Sequence, residues 1–348
     1  GGIVFTNNAP PMTSGFTGAG TVVIEPSTSF TSPVTSAYTF APTLTGLRLG
    51  RASNLQQLTI NSATTIAGPV TVFGAGVSIN QDIDTRAGGT NGDVWVKSSV
   101  DITLAASKSI KTTGGDVLLW SNSDGQKTDG SILLSNGSSI TTSSGNVWMG
   151  GGSGSTVWNG LTVGDGYAVP NTTPIVQAYG SIRAGVILEA STVQTDGGDV
   201  AIYAMSGTTT IGAMSTHGVN TIDAGNGTIY IKTRNIDNAG RGLLTGMYNG
   251  NLSAQTTFKS THTGADAIVI ETNQGGDMCE NTLRLSGFNG RIIRVHASKG
   301  KVLRAEPVVA LYEQGLVKHE SGLHDLEEEM MDFDPVSGLA GGKSPNRV

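Results

Sequence analysis

From about residue 18 to residue 250, apolar side chains come in short alternating runs separated by Ser, Thr, Gly, Asn and Asp. The clearest runs are Gly92-Asp93-Val94-Trp95-Val96, Gly115-Asp116-Val117-Leu118-Leu119, Gly130-Ser131-Ile132-Leu133-Leu134, Gly145-Asn146-Val147-Trp148-Met149, Gly198-Asp199-Val200-Ala201-Ile202 and Gly227-Thr228-Ile229-Tyr230-Ile231. Each reads as a turn residue followed by a strand-forming stretch. Successive glycines of these phrases lie 23, 15, 15, 53 and 29 positions apart, so the repeat is irregular, and further short strands at 100–104 and 185–188 fill the gaps. Helical periodicity is nearly absent, which excludes an α or βαβ domain here.

Short strands with few aromatics suit a narrow core in which each coil stacks on the previous one and inward positions form columns. Gly, Asn and Asp at positive φ would take the tight turns of such a coil. A sandwich or barrel is the alternative, and it more often shows larger aromatics and hairpin loops. The predicted fold class is therefore mainly β, a right-handed parallel β-solenoid, with a small α/β segment after it.

Composition sharpens that division. The chain has 348 residues, 50 of them Gly and 11 Pro, with no three-residue period, so it is not collagen-like. Residues 1–255 hold 25 charged side chains and 39 glycines, whereas residues 256–348 hold 23 and 11. This shift predicts two domains, 1–255 and 256–348, with the junction between residues 251 and 264. The single cysteine, Cys279, allows neither an internal disulfide nor a Cys-based zinc site. No apolar run is long enough for a membrane helix, and Gly1-Gly2 reads as a processing or cloning boundary. A net charge of −6 argues against a generic nucleic-acid binder that works by bulk positive charge.

The phrases Gly20-Thr21-Val22-Val23-Ile24-Glu25-Pro26, Leu44-Thr45-Gly46-Leu47-Arg48-Leu49-Gly50, Leu58-Thr59-Ile60 and Ile66-Ala67-Gly68-Pro69-Val70-Thr71-Val72-Phe73-Gly74, with the Gly-Asp-Val rows, resemble the β-strand-repeat, filamentous-haemagglutinin-like segments of long bacterial surface proteins. The resemblance covers about residues 18–250. It implies an extracellular or cell-surface stalk or adhesin passenger, non-enzymatic and without a cofactor, whose partner is an unidentified surface polymer or host ligand.

Beyond residue 264 the pattern alternates between strand and helix. Strands are predicted at 267–271, 291–295 and 316–319, and helices at 278–285, 303–314 and 323–331. The stretch Ile268-Val269-Ile270-Glu271-Thr272-Asn273-Gln274-Gly275-Gly276-Asp277-Met278, with residues 295–315, 326–330 and 344–348, resembles the C-terminal nuclease region of phage and gene-transfer-agent terminase large subunits. The resemblance implies an RNase H-like α/β fold that cuts DNA in the cytoplasm during packaging, using two Mg²⁺ or Mn²⁺ ions held by three carboxylates. Carried over by motif, Glu271 is the middle metal ligand and a catalytic residue; by residue type, Lys299, Lys301 and Arg304 are candidates for DNA-phosphate contacts, with a solvated loop and helix start as the alternative. The family's first acidic strand belongs upstream, where this chain has Gly-rich repeats, and its last Asp just after Val348. With one ligand of three, the segment reads as incomplete and inactive as it stands. A fusion or chimera without a unified function is a third reading, since surface stalks and packaging motors work in different compartments.

Other motifs point to structure rather than chemistry. Ser337-Gly338-Leu339-Ala340-Gly341-Gly342-Lys343-Ser344 lacks the first Gly of a Walker A loop and is expected to be a surface loop. The Glu327-Glu328-Glu329 run reads as a solvated face, and His217, His262, His296, His319 and His324 form no ligand pair. Asp82, Asp84, Asp93, Asp116 and Asp199 are calcium-ligand candidates by type, but the Gly-Gly-x-Gly-x-Asp nonapeptide is absent, which favours turn chemistry in which Asp bonds its own backbone. Trp95, Trp120, Trp148 and Trp158 are expected to pack in the core or a cap in preference to forming a sugar-binding strip.

Overall fold

A computed structural model describes residues 2–9, 15–89, 92–126, 128–171, 175–177, 180–182, 184–206 and 214–235. It also describes strand segments at 243–245, 255–260, 268–271, 292–295, 333–334 and 339–340, and single positions at 284 and 312. The chain divides into two compact units, Gly1–Thr263 and Gly264–Val348.

The first unit is built mainly from three sheets of parallel strands, and from Leu44 on, apart from residues 161–182, successive strands of the chain are dealt to sheets 1, 2 and 3 in turn. One circuit runs Val94–Ser98, Ile102–Leu104, Ser109–Lys111, and the next runs Val117–Trp120, Ile132–Leu134, Ser139–Thr141. Each strand pairs with its counterpart one circuit away. Registration places like residues in columns. In sheet 1, Val22, Leu47, Val70, Val94, Val117, Val147, Val200 and Ile229 form one inward column, with Ile24, Leu49, Val72, Val96, Leu119, Met149, Ile202 and Ile231 beside it. In sheet 3 the inward column is Ile83, Ile110, Ile140, Val193 and Ile222. These side chains belong to one continuous core. At ~1.5–3 kcal/mol for each fully buried aliphatic side chain, the columns are the main stabilising term.

Glycine's role in the recurrent phrase differs from the expectation. Gly92, Gly115, Gly145, Gly198 and Gly227 stack on one another where the chain enters sheet 1, and none has a positive φ. What requires glycine is close approach. A Cβ on Gly145 would lie 2.0 Å from the Gly115 carbonyl oxygen, one on Gly198 2.1 Å from that of Gly145, and one on Gly227 2.2 Å from that of Gly198. Positive φ occurs elsewhere, as at Gly50, Gly114 and Gly137. Gly130 also differs from its expected equivalents, because its phrase enters sheet 2 with φ +129°.

Beside this stack runs a ladder of side chains. Asp93 Oδ1 accepts the Asp116 N–H (2.9 Å), Asp116 Oδ1 accepts the Asn146 N–H (2.7 Å), Asn146 Oδ1 accepts the Asp199 N–H (2.9 Å), and Asp199 Oδ1 accepts the Thr228 N–H (2.7 Å). Asp93, Asp116 and Asp199 therefore bond the backbone of the next circuit and not their own turn, whereas Asp84 accepts the Arg86 N–H of its own turn (3.0 Å) as expected. On the other side, the Thr85, Thr112, Thr142 and Thr195 hydroxyls donate to the carbonyls of Gly92, Gly115, Gly145 and Gly198. Both columns satisfy turn groups that a buried corner would otherwise leave unpaired.

One excursion breaks the parallel pattern. The strand Val147–Trp158 continues past sheet 1 and folds back antiparallel on Leu161–Gly166. Asn159 and Gly160, both at positive φ, form the two-residue turn. A second antiparallel pair joins Ile175–Gln177 and Gly180–Ile182. The excursion explains the spacing of 53 between Gly145 and Gly198.

In the second unit, Ile268–Glu271 pairs parallel with Ile292–Val295, and Phe333–Asp334 pairs antiparallel with Leu339–Ala340. The expected surface loop at 337–344 is thus part strand. Arg284 and Tyr312 are helical. The predicted strand 316–319 and acidic helix 323–331 lie outside the described residues.

Candidate functional site

Outward positions of sheet 1 form two columns flanking the inward ones. Thr71, Trp95, Leu118, Trp148, Ala201 and Tyr230 stand in one, and Phe73, Lys97, Trp120, Gly150, Tyr203 and Lys232 in the other. The hairpin 147–166 folds over part of this face and creates a second apolar cluster of Leu118, Trp120, Trp148, Val163 and Ala201, against which Trp95, Trp158, Leu161 and Tyr203 pack. Trp148 is fully buried and meets Trp120 edge to face at 6.3 Å. Trp120 Nε1–H donates to the Gly152 carbonyl (2.7 Å), tying the hairpin to the sheet. The tryptophans therefore pack under a cap, and a continuous exposed strip does not form.

The hairpin leaves part of the face open. A groove of about 270 Å³ remains, walled by Thr71, Phe73, Trp95, Lys97 and Trp120 on the sheet and by Ser155 and Thr162 on the hairpin. The Lys97 ammonium sits 3.6 Å from the centre of the Trp120 ring, a cation–π contact. Burial pushes its pKa below the ordinary lysine value. No carboxylate pairs with Lys97 among the described residues, whose ion pairs are Arg48 and Arg51 with Glu25, and Arg86 with Asp84. Sequence reasoning missed Phe73 and Lys97 as lining residues. The signal was their shared offset, five positions after Gly68 and Gly92 and the same as Trp120 after Gly115.

A buried polar group lies on sheet 2. Glu189 and His217 are registered neighbours on adjacent strands, and the Ser215 hydroxyl is 2.8 Å from His217 Nε2. Ser, His and a carboxylate suggest a nucleophilic triad by type. However, Ser215 is 3% exposed and Glu189 0%, and neither Glu189 oxygen makes a hydrogen bond of full geometry. Burial pushes the Glu189 pKa up to about 7, opposed by the Asn136 backbone N–H, and burial lowers that of His217. The group is enclosed in the structure and offers no surface to a substrate.

The calcium candidates are engaged structurally. Asp82 accepts the Ser109 N–H (2.7 Å) and hydroxyl (2.8 Å), Asp84 pairs with Arg86 (2.7 Å), and Asp93, Asp116 and Asp199 form the ladder. Among the described residues, no three His, Cys, Asp or Glu side chains come together as a metal site.

Glu271 is the last residue of its strand and stands in register with Val295. Lys299, Lys301 and Arg304 lie outside the described residues. One carboxylate at a strand end does not supply the oxygen donors of a two-metal site. Of the sequence-derived site residues of the second unit, Glu271 alone falls among the described residues. Among the described residues, no helix is long and apolar enough to cross a membrane.

No curated protein and no solved structure matches the chain. Residues 252–344 match the family model of the terminase RNaseH-like domain, so the last quarter of the sequence is similar to that family while the coiled strands before it match none.

Proposed function

We propose that residues 1–255 are a right-handed parallel β-solenoid with a structural or adhesive role at a bacterial cell surface, and that the chain as a whole is non-enzymatic. The observation that carries this reading is the in-register stacking of inward columns across three parallel sheets. A coil of this kind builds a long regular surface from repeated local contacts. Cells displaying the chain should lose it to added protease without lysis, and full protection of the chain in intact cells would refute the surface role.

A second reading is favoured by the family match over residues 252–344. In it, residues 256–348 are an incomplete RNase H-like terminase nuclease segment, with Glu271 as one metal ligand and Lys299, Lys301 and Arg304 on DNA phosphates. Mg²⁺- or Mn²⁺-dependent cleavage of DNA that is lost in Glu271→Ala supports this reading, and equal activity in both proteins ends it. The compositional break after residue 255 also suits a fusion of two pieces with no joint function.

A further inference from the structure

The groove on sheet 1 has features that packing alone does not account for. Its floor joins two large aromatic residues, Trp95 and Trp120, with Phe73 beside them. Lys97 is its one charged lining residue and pairs with no carboxylate among the described residues. Holding a lysine ammonium in a largely apolar groove costs solvation, which a single cation–π contact only partly offsets. An anionic group entering the groove would complete the pairing. Thr71 on the sheet and Ser155 and Thr162 on the hairpin also line the groove, and each carries a hydroxyl of the kind that bonds sugar oxygens.

We infer that this groove binds a carboxylated sugar ring, a hexuronate residue of an acidic polysaccharide. The apolar face of a pyranose lies on Trp95, its carboxylate meets the Lys97 ammonium, and its hydroxyls reach the walls. The volume of about 270 Å³ lies just below the ~300–1,000 Å³ of pockets for drug-sized ligands, so one ring enters and the polymer continues outside. Phe73, Lys97 and Trp120 sit on three successive strands of sheet 1, an extent of about 10 Å at the ~4.8 Å strand spacing. An aromatic carboxylate would satisfy Lys97 and the aromatic floor but would make no use of the wall hydroxyls. The inference gives the adhesive role a ligand class, yet it rests on the groove's own geometry. Failure of binding would leave the surface location standing, and a protected intracellular chain would leave the groove's affinity unchanged.

The test uses the full chain and three probes: trigalacturonate, the neutral galactotriose, and benzoate. Binding is read by tryptophan fluorescence and by saturation-transfer NMR. Trigalacturonate is expected to bind, with galactotriose and Lys97→Met each weaker by about tenfold or more, equivalent to ~1.4 kcal/mol. Lys97→Arg should keep binding, and Trp95→Leu should lose the fluorescence response. Absence of trigalacturonate binding, equal binding of the neutral sugar, an unchanged Lys97→Met, or binding of benzoate alone would each overturn the inference. Should Lys97→Met fail to fold, the comparison of charged and neutral trisaccharide on the native chain decides the question.

Discussion

Alanine at position 145 isolates the packing role of the stacked glycines. Gly145 has an ordinary negative-φ backbone, so the added methyl introduces no dihedral strain. It would lie 2.0 Å from the Gly115 oxygen and 2.5 Å from its carbonyl carbon, both backbone atoms that cannot swing aside as a side chain can. Restoring ordinary contact requires the two circuits to separate by more than 1 Å at this corner, by the ~3.4–4 Å that carbon contacts need. The bonds that join these two circuits beside the corner, Gly114 N–H to Thr142 O and Val117 N–H to Asn146 O, are both 2.8 Å and would stretch out of range. Two lost bonds at ~0.5–1.5 kcal/mol each, with overpacking of ~1–3 kcal/mol, place the destabilisation at about 3 kcal/mol. Gly160→Ala is the matched control, because Gly160 has φ +78° but open space around it, leaving only dihedral strain of ~1–2 kcal/mol. Thermal unfolding followed by circular dichroism should show a drop of roughly 6–12 °C for Gly145→Ala at ~2–4 °C per kcal/mol, and a smaller drop for Gly160→Ala. A Gly145→Ala protein within error of the parent, with Gly160→Ala clearly worse, would refute close approach as the reason for glycine in the phrase.

Three further predictions concern buried and half-buried polar groups. Asp116→Ala removes the acceptor of both the Asn146 N–H (2.7 Å) and Nδ2 (2.9 Å) and should cost ~1–3 kcal/mol in urea unfolding, whereas an exposed Asp124→Ala should be silent. Glu189 has its pKa raised by burial from 4.5 to about 7, so its contribution is fully present below pH 4.5 and is lost as pH rises towards 7. Glu189→Gln should flatten that slope and raise the melting temperature at pH 8, and an unchanged slope would contradict it. Glu25 is held below its ordinary pKa, first by its hydrogen bond with Arg51 and then by the charges of Arg48 and Arg51. Its contribution is present above pH 4.5 and lost as pH falls through the lowered value, so parent and Glu25→Gln melting temperatures should differ at pH 7 and converge in acid.

The strands of the first unit were legible because inward positions must be apolar at every circuit. Val94, Val117, Val147 and Val200, each two positions after a glycine, repeat the rule without interruption. The phrase at Gly130 looks the same in sequence but belongs to sheet 2, because apolar alternation identifies a strand without saying which sheet receives it. Reading the glycine spacing of 30 from Gly115 to Gly145 as two steps of 15 hid the three-strand circuit. The glycines were legible in identity but not in cause, since stacking distances between circuits leave no mark on a single repeat. The hairpin turn at Asn159-Gly160 carried a known local signal, an Asn-Gly pair between alternating runs, which the surrounding Gly and Ser obscured. The groove was half legible: its tryptophans stood out, whereas Lys97 and Phe73 became neighbours only through register. The role of Glu271 was legible through resemblance alone, its strand-end position through the apolar run at 267–270, and the structure adds its register opposite Val295.

The parallel register itself can be tested covalently. Ser78 and Thr103 are directly opposed on neighbouring strands of sheet 2, within the Cα separation of ~4.4–6.8 Å that a disulfide accepts. In a Cys279→Ser background, Ser78→Cys with Thr103→Cys should oxidise to an intramolecular disulfide, whereas Ser78→Cys with Ala105→Cys, two residues out of register, should stay reduced. Preferential cross-linking of the second pair, or failure of the first in a folded protein, would contradict the stacked parallel coil on which the account depends.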